Sequence, residues 1–110
     1  MTQEYLYREL FRVCRFGTLS GLWDLIKNHR NEIDFNIYLI ENLTSCIRFP
    51  RTPLMIAANH GHLAIVCQLL SLPEVDINLQ AKYGFTAFYD AVLTRNRAVI
   101  SQFLVRPDLD

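Results

Sequence analysis

Glycine and proline are scarce, four of each among 110 residues, and there are only three cysteines. That is too little Gly and Pro for a collagen-like chain or a flexible linker. A hydrophobic fraction of 51% against 20% charged residues also excludes a disordered tail. Cys14, Cys46 and Cys67 are odd in number and widely spaced, which suits neither a disulfide framework nor the close Cys-x-x-Cys pairs of a zinc cluster. A reducing compartment is expected. Net charge is absent too: eleven Lys and Arg balance eleven Asp and Glu, so no global field draws the chain to nucleic acid or to an anionic membrane. No stretch approaches the ~18 apolar residues of a membrane span. The N-terminal segment is interrupted by Glu4, Arg8, Glu9, Arg12 and Arg15, unlike the apolar core of a signal peptide. Asn42-Leu43-Thr44 is formally a glycosylation sequon and reads as an ordinary loop tripeptide. What is present is one globular domain's worth of chain, enough to bury roughly two thirds of its unfolded surface.

Self-comparison reveals a period of 34. Placing Thr52 to Asp76 over Thr86 to Asp110 pairs Thr52 with Thr86, Ala57 with Ala91, Ala64 with Ala98, Gln68 with Gln102, Leu70 with Leu104, Pro73 with Pro107 and Asp76 with Asp110. Seven further pairs keep their chemistry, among them Leu54 with Phe88, Ala58 with Val92, Val66 with Ile100 and Leu69 with Phe103. A degenerate first copy stands at an offset of 44, with Leu10, Cys14, Gly17, Leu19 and Ile26 over Leu54, Ala58, Gly61, Leu63 and Leu70. The longer offset implies an inserted segment between the first and second units.

Each unit reads as two short helices. Thr52 is a suitable N-cap and Pro53 a suitable first helical residue. Leu54, Ala57 and Ala58 share one face, and Gly61 can take the left-handed conformation that ends the helix. A second helix from about Leu63 to Leu72 carries Ile65, Val66, Leu69 and Leu70 on one face and stops before Pro73. Helices this short are marginal in isolation, so the units must be stabilised by stacking on one another.

The run Thr52-Pro53-Leu54-Met55-Ile56-Ala57-Ala58-Asn59-His60-Gly61-His62 resembles the signature of ankyrin repeats. The resemblance extends through Val75-Asp76-Ile77-Asn78 and covers essentially residues 6–110 apart from the insertion. It implies an all-α ankyrin-repeat solenoid of about three helix-turn-helix units with hairpin-like loops. The expected division is a degenerate capping repeat at 1–36, an insertion at 37–50, a second repeat at 51–78 and a third at 79–110. The third ends at Asp110 where Asp76 stands in the second, in mid-connection, and is expected to be truncated. The L-shaped ankyrin unit places a projecting foot at Leu79 to Phe85. Three departures stand out: Arg95 where the family has Gly, Ala87 for Pro, and Ala81 for the usual loop Asp. A left-handed cap at Arg95 would cost about 1 kcal/mol unless Asn96 takes the turn instead.

The resemblance implies a non-catalytic protein-interaction module, an adaptor, targeting domain or inhibitor, that binds a protein partner through loop tips and the concave helix face. Carried over position by position, the partner-binding residues are Lys82, Tyr83 and Phe85 in the foot, Asn59 and His60 in the second unit, and Leu93 and Thr94 in the third. Exposed aromatics at such positions favour binding; packing of the foot against the next loop is the competing reading. Tyr89 and Asp90 occupy partly structural positions. No catalytic motif, cofactor site or metal site is expected, and His60-Gly61-His62 is read as structural. His29 is read as a solvated helix end. Arg8, Arg12 and Arg15 share a face of the first helix, either as a solvated cap partly paired with Glu4 and Glu9 or as a docking stripe for an acidic partner or a phosphate backbone. The insertion, with Tyr38, Leu39, Ile40, Leu43, Ile47 and Phe49, should pack, either folded back as a longer foot or short helix or as a local partner site; Cys46 lies within it. A structural alternative to partner binding is self-association through an apolar C-terminal face of Val99, Ile100, Phe103, Leu104 and Val105. The expected location is intracellular, cytoplasmic or nuclear, or a host cytosol into which a bacterial or viral effector is delivered, without conventional secretion. Nucleic acid and membrane partners are not expected.

Overall fold

The computed structural model describes residues 2–39 and 50–109, and six α-helices lie among them in three antiparallel pairs. The first pair is α1, Gln3–Phe16, with α2, Leu19–His29; the second is α3, Pro53–Asn59, with α4, Leu63–Leu70; the third is α5, Ala87–Thr94, with α6, Arg97–Leu104. Helix α3 packs between α1 and α5, while α4 packs between α2 and α6. Two rows of helices result, in a slab of 35 × 33 × 20 Å whose thin dimension is about two helix diameters.

Local chemistry sets the helix ends. Thr52 and Thr86 accept through their side chains from the amides of Met55 and Tyr89, at 3.3 and 3.2 Å, each worth about 1 kcal/mol. Gly17 and Gly61 close the first two turns at φ 76° and 70°. In the third turn, of the two alternatives, Arg95 itself adopts the left-handed conformation at φ 58°. Asn96 is committed elsewhere: its side chain caps α6 by accepting from Val99 N at 3.2 Å and donates to the Gly61 carbonyl at 3.3 Å. Helix α4 stops at Leu70, two residues short of the expected end, where the Ser71 hydroxyl donates to the Gln68 carbonyl at 2.6 Å.

The units are joined by repeated polar contacts as well as by apolar ones. His62 Nε2–H donates to the Arg15 carbonyl at 2.9 Å, so the second His of the motif is structural. Asn36 donates to the Glu74 carbonyl and accepts from Asp76 N, both at 2.8 Å. One unit on, Asn78 donates to the Asp108 carbonyl at 2.6 Å. The Arg106 guanidinium reaches the Leu70 carbonyl. Pro53 through Ala58 are all buried, since α3 has neighbours on several sides. Cys14 and Ala58 are both fully buried at equivalent positions, and burial pushes the Cys14 thiol pKa well above its ordinary range.

Other expectations change. Val99 and Phe103 are fully buried, because α6 packs against α5 of its own unit and α4 of the preceding one, so they contribute nothing to an outer face. His29 is half-buried rather than solvated, its Nδ1 lying 3.2 Å from Glu32 Oε2 across a 3-10 turn. Arg8 and Arg12 pair with Glu4 and Glu9 at 3.1 and 2.9 Å, which is the solvated-cap reading of that helix face. The expectations for Ile40, Leu43, Cys46, Ile47 and Phe49 lie outside the described residues. At the root of that segment, Leu39 and Arg51 form an antiparallel bridge like the one between Gln80 and Thr86 in the foot of the third unit.

Candidate functional site

Foot and helix are built as one piece in the third unit. The Gln80–Thr86 bridge closes the loop, Ala81 N donates to the Phe85 carbonyl at 2.7 Å, and Gly84 N donates to the Ala81 carbonyl at 3.0 Å. Backbone bonds therefore close the foot despite the alanine at position 81. Between these bonds Tyr83 and Gly84 both have positive φ, 67° and 80°. A tyrosine held there costs about 1 kcal/mol or more, and the conformation carries its ring outward at 71% exposure.

Aromatic contacts extend from that tip onto α5. Lys82 Nζ lies 5.3 Å from the centre of the Tyr83 ring. The Tyr83 and Phe85 rings are 6.2 Å apart and tilted, and the Phe85 and Tyr89 rings stack at 4.4 Å with only 10° between their planes. Phe85 and Tyr89 remain 36% and 40% exposed. Four residues beyond Tyr89, on the same helix face, is Leu93 at 57% exposure. Lys82, Tyr83, Phe85 and Leu93 thus share one exposed stripe through Tyr89, and Thr94 follows it, its hydroxyl donating to the Ala91 carbonyl at 2.9 Å. The competing reading, burial of the foot rings under a neighbouring loop, does not describe Tyr83; Phe85 is partly covered, by Tyr89.

Asn59 and His60 stand apart from the stripe, at the end of α3, and both are half-buried. The Asn59 side chain is hydrogen-bonded to Asp90. Asp90 is buried, with Arg51 3.8 Å away. Desolvation raises its pKa, and the Arg51 charge and Asn59 bond only partly oppose this. The His60 ring lies 6.2 Å from that of His62.

Tyr5, Phe16, Trp23 and Tyr89 are exposed aromatics outside the expected partner-binding set. Tyr89 occupies a position expected to be only partly structural, and its spacing of four from Phe85 is the signal that the two rings could stack. Trp23, on α2, is 56% exposed with its indole N–H donating to Gln68 Oε1 at 2.8 Å; its spacing carried no such signal. Among the described residues, no group of three or more His, Cys, Asp or Glu is placed to hold a metal ion, and no helix is long and apolar enough to cross a membrane.

Paired helices stacked two rows deep, with bridged feet, define a repeat solenoid, and the chain belongs to the ankyrin-repeat family: the family model for three copies of the ankyrin repeat matches residues 10–110. Ankyrin repeats generally mediate protein–protein interaction and are typically non-catalytic. The chain is 30% identical over 93 residues to a Plasmodium falciparum protein carrying the name of an E3 ubiquitin-protein ligase, an overlap of 84% of this chain and 1% of that protein. It is 64% identical over 42 residues to zinc finger CCCH domain-containing protein 24 of Oryza sativa subsp. japonica, 37% of this chain and 6% of the relative. The chain therefore spans only a small part of both curated relatives.

Proposed function

We propose that this chain is a non-catalytic adaptor, targeting or inhibitory module that binds a protein partner through loop tips and the concave helix face, chiefly the foot and first helix of the third unit. The observation that carries this reading is the exposed row Lys82, Tyr83, Phe85 and Tyr89, stacked ring to ring and continued by Leu93 and Thr94. A pre-stacked row loses little side-chain freedom on association, and aromatic residues of this kind dominate binding energy. Asn59 and His60 form a second, less exposed part of the site. The unit boundaries are proposed at 36/37, 50/51 and 78/79. The short overlaps with both relatives support similarity to a repeat segment rather than to the whole of either protein. Free thiols at Cys14 and Cys67 support an intracellular setting.

The test is affinity capture from cell lysate with the intact chain and with Lys82, Tyr83 and Phe85 all replaced by alanine. Retention of a partner by the intact chain and its loss by the variant, at an undiminished melting temperature, supports the assignment. Equal capture by both removes it.

Self-association through the C-terminal face is a second reading, favoured by Leu104 and Val105 at 63% and 74% exposure beside Val92 at 45%. Their counterparts in the second unit are Leu70, Ser71 and Ala58, and the two apolar ones are buried. A strictly monomeric mass by light scattering at high concentration would eliminate it.

A further inference from the structure

Five helix positions that are buried in the second unit are open or half-open in the third: Leu54 is matched by Phe88, Met55 by Tyr89, Ala58 by Val92, Val66 by Ile100 and Leu70 by Leu104. In the second unit they are covered by the third, whose α5 lies against α3 and whose α6 lies against α4. The row on the third unit therefore continues the interface that already joins the units. None of its members is charged. A terminal repeat facing water needs a polar outer surface, and a contiguous apolar patch marks a contact surface instead.

The opposite end of the stack is built differently. Glu9 and Arg12 occupy the repeat positions of Pro53 and Ile56 in the second unit and of Ala87 and Asp90 in the third, and all four of those are buried. On the first unit they pair with each other at 2.9 Å, and beside Glu9 lies a pocket bordered by Tyr5, Asp24, Asn28 and His29. Head-to-tail stacking of two copies would press this charged pair onto Val92 and Leu104, and desolvating charges against apolar side chains is costly. Another helix pair set at the spacing of the existing units fits poorly as well. Every open position of the row carries a side chain as large as its covered counterpart or larger, and Val92 stands where the second unit has Ala58.

We propose that two copies of this chain pair through this face about a two-fold axis, third unit against third unit, as a closed dimer. This rests on the self-association reading above and adds its geometry: one apolar surface used twice, with the charged first units at the two far ends. A two-fold interface is self-complementary and closes at two chains, whereas a head-to-tail contact continues into a filament unless its rotation closes a ring.

Light scattering across a concentration series tests the pairing. The mass should rise from that of one chain to that of two and stop there. Leu104→Glu should weaken association about a hundredfold, because a two-fold interface loses the leucine in both copies. Val92→Gln, on the same face, should weaken it too. Both positions are exposed, so the melting temperature of the dilute variants should match that of the parent. A fluorescently labelled Leu104→Glu chain mixed with the parent reads the symmetry. In a two-fold pair it should bind the parent about tenfold more weakly than a labelled parent chain does, one leucine being lost rather than two. In a head-to-tail pair it would bind undiminished through its intact first unit. Growth beyond two chains, or undiminished binding of the labelled variant, would overturn the two-fold arrangement and leave the self-association reading standing. A monomeric mass throughout, or pairing unaffected by both substitutions, would remove the two together and leave the face to another occupant.

Discussion

Replacing Arg95 by glycine should stabilise the protein although it deletes a side chain. Arg95 sits at φ 58°, ψ 27° as the cap of α5, with its amide bonded to the Val92 carbonyl at 3.1 Å. Holding a non-glycine residue in that region costs about 1–2 kcal/mol, because Cβ crowds the following carbonyl. Glycine removes that strain but adds about 0.5–1 kcal/mol of unfolded-chain freedom that folding must overcome. Taking the middle of both ranges, the net gain is about 0.7 kcal/mol, or roughly 3 °C in melting temperature for a chain of this length. Urea melts followed by far-UV circular dichroism would report it as a higher midpoint at unchanged slope. Arg95→Ala is the control: it removes the charge but keeps Cβ, so it should show no such gain. A midpoint for Arg95→Gly that is unmoved or lower, or a gain shared by Arg95→Ala, would refute the strain explanation.

Gly17→Ala should lose about 2–3 kcal/mol, since an added Cβ would lie 2.6 Å from His62 Nδ1 at φ 76° and would displace the ring that donates to Arg15. Gly61→Ala, whose Cβ would meet only Asn96 Nδ2 at 3.1 Å, should lose less; the reverse order in chemical denaturation would contradict the packing described. Asp90 and Glu74 should respond to pH with opposite signs. Burial raises the Asp90 pKa above its unfolded value, so its charge opposes folding at neutral pH and is relieved as pH falls. Asp90→Asn should then gain most over the parent near neutrality, with the gap closing toward acid; a gap that widens toward acid would show that the Arg51 contact dominates. The Arg30 hydrogen bond lowers Glu74 to about 2 from an ordinary 4.5. Its contribution, modest because both partners are solvent-screened, is present above pH 4.5 and fades as pH falls toward 2, so Glu74→Gln should lose least in acid.

Much of the architecture was legible from period and turn chemistry. Thr52, Pro53 and Gly61 behave as their residue types require, and the offset of 44 correctly paired Cys14 with Ala58 and Gly17 with Gly61. Residue preference left the third turn open between Arg95 and Asn96, because asparagine tolerates the left-handed conformation better than arginine does. That preference yields when the same asparagine can cap α6 and bond the preceding unit. The foot residues Lys82, Tyr83 and Phe85 could be located by position, yet their continuity with Tyr89 depends on ring orientation, which no spacing specifies. The pairing of Arg8 and Arg12 with Glu4 and Glu9 was foreseeable from their spacing on one helix, while the pairing of Arg30 with Glu74 joins residues 44 apart and is created by stacking.

The chain's own 34-residue period determined the units, their capping residues and the order in which they stack, because these depend on local conformation and on apolar spacing within one unit. It could not say which copy of a repeated residue would be covered. Leu70 and Leu104 are the same residue at the same position, yet one is 7% exposed and the other 63%; Ala58 is buried where Val92 is open. Burial in a solenoid is conferred by the neighbouring unit rather than by the residue, so the tertiary structure alone distinguished the covered copy from the open one.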